Sequence, residues 1–89
     1  MDRRALMRFE VKVEVSPREG IANPEGSTIE RALPALGFVT AGNVRVGKVI
    51  HLQVDADSAA DAKSLVEDMC NRFLSNPVIE DALVEVREG

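Results

Sequence analysis

The sequence predicts a small α+β fold: a two-layer sandwich in the order β-α-β-α-β, with two helices on one face of a small sheet. Three observations lead there. Met7, Phe9, Val11, Val13 and Val15 alternate with Arg8, Glu10, Lys12 and Glu14. Ala62, Leu65, Val66, Met69, Phe73 and Leu74 trace an apolar stripe at helical spacing. Ala82, Val84 and Val86 alternate with Leu83, Glu85 and Arg87. The 89 residues leave room for one domain, 1–89. Residues 1–6 carry two Arg and no apolar run, so they read as a loosely ordered N-terminal extension and not as a secretory signal.

The first alternation has the period of a half-buried strand, and Ser16-Pro17 ends it. A loop through Gly20, Pro24 and Gly26 follows. Ile29, Ala32, Leu33 and Leu36 then stand at i, i+3, i+4 and i+7, one face of a helix. Asn23-Pro24 suits an N-cap followed by proline at the first helical position, and Gly37 suits the stop. Pro34 removes a backbone donor inside this pattern, which predicts a kink or an early end. From Val44 to Asp55 the apolar residues Val44, Val46, Ile50, Leu52 and Val54 share one parity, broken by Lys48. Two geometries fit: one long strand bent at Gly47-Lys48, or two short strands joined by a turn there. The parity resumes after the interruption at Lys48, which favours the long bent strand. Ser58 with Asp61 three residues on marks the start of the second helix, and Asn76-Pro77 closes it. The final alternation makes the last strand. The second face of the sheet carries charges of both signs together with Val49 and Leu83, and suits water or a subunit contact.

Composition narrows the function. A formal net charge of −4, with Lys and Arg scattered, argues against a phosphate-backbone binder. One Cys excludes an internal disulfide and fits a reducing, cytosolic compartment. No stretch approaches a membrane span. A domain of this size gains little from a single core, about 3–5 kcal/mol. With disulfide and metal set aside, self-association is the support that remains.

Several motifs invite a chemical reading and fail it. Gly42 to Lys48 matches the first seven positions of a phosphate loop, but Val49 replaces the required Ser or Thr, and a strand follows where a helix is needed. Asp55, Asp57 and Asp61 begin like a calcium loop, yet Ala59, Ala60 and Val66 occupy later positions that need an oxygen ligand, Gly and Glu. These carboxylates suit a helix N-terminus instead. Cys70 flanks the stripe of the second helix, where a buried, inert thiol is expected, and His51 falls on the opposite side of the sheet. Four zinc ligands cannot be assembled. The loop Pro17–Gly26 could hold an anion at a helix start, but its glycines are also what a tight connection requires. Lys48, in phase with core positions, snorkels at the rim or meets a partner's carboxylate.

Read together, an ordered set of short motifs resembles the PurS family, the small subunit of the bacterial and archaeal phosphoribosylformylglycinamidine synthase complex. The set comprises Pro17, Gly20-Ile21, Asn23-Pro24-Glu25-Gly26, Ala32-Leu33, Leu36-Gly37-Phe38, Val44-Arg45-Val46-Gly47-Lys48, Met69-Cys70 and Asn76-Pro77-Val78-Ile79-Glu80. It spans Phe9 to Val86. Two departures are Asn23-Pro24-Glu25-Gly26, where the family more often has Asp-Pro-Gln-Gly, and Pro34 within the first helix.

The resemblance implies a ferredoxin-like relative that forms dimers or tetramers and bridges a large ATP-dependent synthetase (PurL type) and a glutaminase (PurQ type) in de novo purine synthesis. The complex converts formylglycinamide ribonucleotide, ATP and glutamine to the amidine, with ADP, phosphate and glutamate released. It implies an adapter without catalytic, cofactor or metal residues, ATP and magnesium belonging to the synthetase, and no contact with nucleic acid or membrane. The motif positions Gly20, Asn23, Pro24, Gly26, Arg45, Gly47, Lys48, Asn76, Pro77 and Glu80 then fall to structural or subunit-contact roles. The competing readings are a stand-alone effector-binding module, a small enzyme using Cys70 or His51, and a scaffold without an enzymatic partner.

Overall fold

The computed structural model describes residues 6–89. Of the expected extension 1–6, all but Leu6 lies outside the described residues. Three strands form one antiparallel sheet in the order β2-β1-β3: β1 is Met7–Pro17, β2 is Lys48–Ala56 and β3 is Glu80–Glu88. The helices are α1, Pro24–Ala32, and α2, Ala59–Met69. The α+β class and the element order are those the sequence predicts.

The core lies between the sheet and α2. Phe9, Val11, Val13 and Val15 of β1, Val54 and Ala56 of β2, and Val84 of β3 meet Ala62 and Val66 of α2 and Cys70 just beyond its end. Ser58 caps α2 by accepting from the Asp61 amide at 3.1 Å. Beyond Met69 the helix widens into one π turn, Cys70–Leu74. That turn shifts the apolar phase. Cys70 and Leu74 turn inward, while Phe73, expected in the stripe, is 86% exposed. Leu65 also sits on an exposed flank.

The first helix departs from expectation. Its local signals hold: Asn23 caps it, Pro34 converts its end into a 3-10 turn over Leu33–Leu36, and Gly37 stops it at φ 95°. Its place does not. It packs on its own 3-10 turn and makes no substantial contact with the sheet, so among the described residues only α2 covers the sheet. Its apolar stripe is left open, with Leu36 70% exposed. Residues 18–47 form a helical finger projecting from the β1–β2 hairpin. The radius of gyration is 17.8 Å and the longest dimension 64 Å, whereas a compact chain of this length has a radius of about 12 Å.

The second strand is also corrected. It is neither one bent strand from Val44 nor two strands joined at Gly47-Lys48. It begins at Lys48, and it is an edge strand, β1 being central. The register explains the late start. Val15 pairs with Lys48, which sets Pro17 opposite Val46. Pro17 has no N–H for the ladder, and the Val46 carbonyl instead accepts from Asn23 Nδ2 at 3.0 Å. On its other side β1 stays paired through Pro17 and Glu80.

Candidate functional site: the junction of finger and sheet

The motif residues come together where the finger leaves the sheet. Asn23 works in both directions: Oδ1 accepts from the Gly26 amide at 2.9 Å, and Nδ2 donates to Val46. Pro24 supplies the first helical residue, its fixed φ suiting a position that needs no donor. One turn on, Glu30 Oε1 accepts from the Val44 amide at 2.9 Å. Gly26 lies so close to the return segment that a Cβ there would run into the Val44 carbonyl oxygen. Gly47 is confined in the same way, since a Cβ would stand 2.5 Å from the Val15 carbonyl oxygen. Arg45 donates to the Pro17 carbonyl. Gly20, at φ 87°, makes the turn between strand and helix.

The other motif half is the turn before β3. Asn76 and Glu80 close it reciprocally. The Asn76 carbonyl accepts from the Glu80 amide at 2.8 Å, and Glu80 Oε1 accepts from the Asn76 amide at 2.7 Å. Arg18 locks this turn to the end of β1, donating through Nη2 to the Pro77 carbonyl at 2.7 Å and through its amide to the Ile79 carbonyl at 2.8 Å. Sequence reasoning passed over Arg18 and Glu30, and it named Pro17 as the end of the first strand without seeing that it also limits the ladder to β2. Only the register reveals them. A shallow cavity of about 230 Å³ marks the junction, lined by Val15, Pro17, Glu25, Gly47, Lys48 and Glu80. Lys48 is exposed at its rim. The arrangement holds backbone in place: its polar groups bond to one another, and among the described residues no buried side-chain nitrogen or oxygen lacks a partner.

The groups weighed for chemistry are dispersed. Cys70 is 3% exposed in the core, and burial, aided by the nearby Glu67 charge, pushes its thiol up from the ordinary value. A thiol held protonated is a poor nucleophile. His51 sits on the opposite, open face of the sheet beside Lys12. Gly42–Gly47 is irregular chain leading into β2, with no helix start to receive a phosphate. Asp55 is engaged by Arg8, whose Nε donates to Oδ1 at 2.9 Å, and that bond holds the carboxyl below its ordinary value. Among the described residues, no three His, Cys, Asp or Glu gather as a metal site, and no helix is long and apolar enough to cross a membrane.

The open face carries Arg8, Glu10, Lys12 and Glu14 of β1 with their cross-strand neighbours on β2 and β3. Arg8 bonds Gln53 as well as Asp55, and Gln53 bonds Glu10. Lys12 lies 3.4 Å from Glu14 and 3.3 Å from Glu85, and those two bonds, Glu85 first, raise its affinity for its proton. The face is an ordered charge lattice with aliphatic side chains at one end.

The family described as Phosphoribosylformylglycinamidine (FGAM) synthase, PurS, matches residues 10–88 of this chain. The chain belongs to the PurS family. It is 43% identical to the PurS subunit of phosphoribosylformylglycinamidine synthase from Methanothermobacter thermautotrophicus, over 92% of this chain and 96% of that protein. To the Bacillus subtilis subunit it is 39% identical, over 90% and 94%. The fold is similar to the crystal structure of the Thermotoga maritima PurS subunit, with TM-score 0.84, 34% identity, and 93% and 95% of the two chains covered. It is also similar to a chain in the structure of PurLQS from Thermotoga maritima, with TM-score 0.82, 34% identity, and 90% and 98% covered.

Proposed function

We propose that the chain is the small adapter subunit of phosphoribosylformylglycinamidine synthase in purine biosynthesis. In this reading it joins the ATP-dependent synthetase to the glutaminase in the cytoplasm, so that glutamine-derived ammonia converts formylglycinamide ribonucleotide to the amidine. The observation that carries the reading is likeness, over nearly its whole length, to PurS subunits, one of them a chain of a PurLQS structure. The junction supports the adapter role. Motif residues that a catalyst would aim at substrate are spent here on fixing the finger and the β3 turn. ATP and magnesium are left to the synthetase.

The finger supports self-association into a dimer or tetramer. Its stripe of Ile29, Leu33 and Leu36, with Phe38 and Val39 beyond, is apolar surface that its own sheet leaves open.

The test is amidine formation by the purified synthetase and glutaminase, with and without this chain, using glutamine or ammonium as nitrogen source. The expected result is a rise in the glutamine-dependent rate alone. If neither rate changes and no complex forms, the adapter reading fails, and binding of a small effector becomes the function to pursue.

A further inference from the structure

The open face of the sheet offers one row unlike the others. Glu14 is paired in register with Val49 on one side and Leu83 on the other. These aliphatic side chains are 51% and 57% exposed, on a face otherwise occupied by polar and charged groups. Two strand spacings separate them, roughly 10 Å, with the Glu14 carboxylate between. In the next row Lys12 is, among the described residues, the single cation within salt-bridge distance of both Glu14 and Glu85. The pair of carboxylates therefore keeps one negative charge in excess, bordered by two apolar walls. This face is turned away from α2 and from the core, so the row remains open whatever covers the core side.

We infer that the Val49–Glu14–Leu83 row is a docking surface for an arginine presented by a different subunit of the assembly. Arginine matches the row in both of its parts. Its aliphatic stem lies against Val49 and Leu83, and its planar guanidinium meets the carboxylates of Glu14 and Glu85. Lysine fits less well: its ammonium can bridge these carboxylates, as that of Lys12 does, but only as a point charge without the fixed bidentate fork of a guanidinium. A second copy of this face is a poor occupant, since stacking would bring the surplus carboxylates of the two copies together. The inference rests on the adapter reading, and names the surface through which the adapter meets an enzyme subunit.

The experiment uses the full chain with purified synthetase and glutaminase. Dissociation constants come from titration calorimetry, and the self-association of the isolated chain from sedimentation velocity. Glu14→Lys and the double variant Val49→Ser, Leu83→Ser are compared with the wild type, with Arg8→Ala as a control elsewhere on the same face. Each row variant is expected to bind its enzyme partner at least about tenfold more weakly, the loss typical of a central contact. Self-association and melting temperature stay unchanged, and Arg8→Ala binds like the wild type. Wild-type affinity in both row variants overturns the proposal while leaving the adapter reading intact. So does loss of self-association with enzyme binding retained, which makes the row a contact between copies. A wild-type chain that binds neither enzyme overturns the adapter reading and the docking surface together.

Discussion

Replacing Gly26 by Ala tests whether the finger is held by close backbone approach. An Ala Cβ would press into the Val44 carbonyl oxygen and lie 2.9 Å from both the Val44 carbonyl carbon and Asn23 Oδ1. Carbon contacts are ordinarily about 3.5–4.0 Å, so the helix and the return segment must part by at least about 0.5 Å. Overpacking costs about 1–3 kcal/mol, and a clash with backbone this close belongs in the upper half of that range, about 2–3 kcal/mol. The better helix propensity of Ala returns at most about 1 kcal/mol. The net loss is about 1–2 kcal/mol. It falls on the finger, whose ties to the return segment run through Asn23 and Glu30. Gly42→Ala is the matched control: a Cβ there meets nothing within 4 Å, and the residue is not left-handed. Native-state hydrogen exchange of the amides of residues 27–31 reads the difference. Gly26→Ala should speed it about 5–30-fold, while Gly42→Ala leaves it unchanged or slower. Equal protection in both variants would refute the claim that close approach at Gly26 anchors the finger.

Three further outcomes are expected. Val66→Ala removes two methyl groups from a fully buried site and should cost about 2–3 kcal/mol; urea denaturation will show it as a lower midpoint at unchanged slope, and a loss below about 1 kcal/mol would mean that the α2–sheet core is looser than described. Ile29→Asp places a carboxylate on the finger's open stripe and should weaken self-association at least about tenfold; sedimentation equilibrium measures it, and an unaltered oligomer would place the stripe outside the interface. Asp55 has its carboxyl held below the ordinary value by Arg8, so its contribution to stability is present above the unfolded-state value and lost as pH falls through the folded one; Asp55→Asn should flatten the acid limb of stability against pH below about 4, and an identical limb in both proteins would show that the pair contributes nothing.

What the chain reveals before it is folded is what depends on neighbours in sequence. The alternation of Phe9 to Val15, the Ser58 cap and the conversion at Pro34 were all readable, because each rests on a local period or on one residue's stereochemistry. Non-local facts were not. The stripe Ile29, Ala32, Leu33, Leu36 announces a helix with an apolar face, but nothing in a helical period says whose surface meets it, so α1 was assigned to its own sheet. The parity of Val44 and Val46 is equally genuine, yet their backbone groups go to Glu30 and Asn23. The strand begins later because Pro17 stands opposite Val46, a fact of register. Phe73 left the stripe because a π turn breaks the period that placed it there. At the junction the motif residues could be named, but their common purpose could not, since Pro17, Gly47 and Glu80 meet only when β1 lies between β2 and β3.

The strand order has a consequence for biosynthesis. The strand that emerges first from the ribosome, β1, occupies the centre of the sheet, and its partner β3 emerges last of the three. Until Glu80–Glu88 has left the exit tunnel, one edge of Phe9–Val15 has no ladder, and Val84 is missing from the core. A β1–β2 hairpin carrying the finger can form earlier, but two strands alone are at best marginally stable in water. A nascent chain stalled before β3 therefore presents an unpaired edge and an uncovered aliphatic face, the form most open to aggregation or to capture by a chaperone.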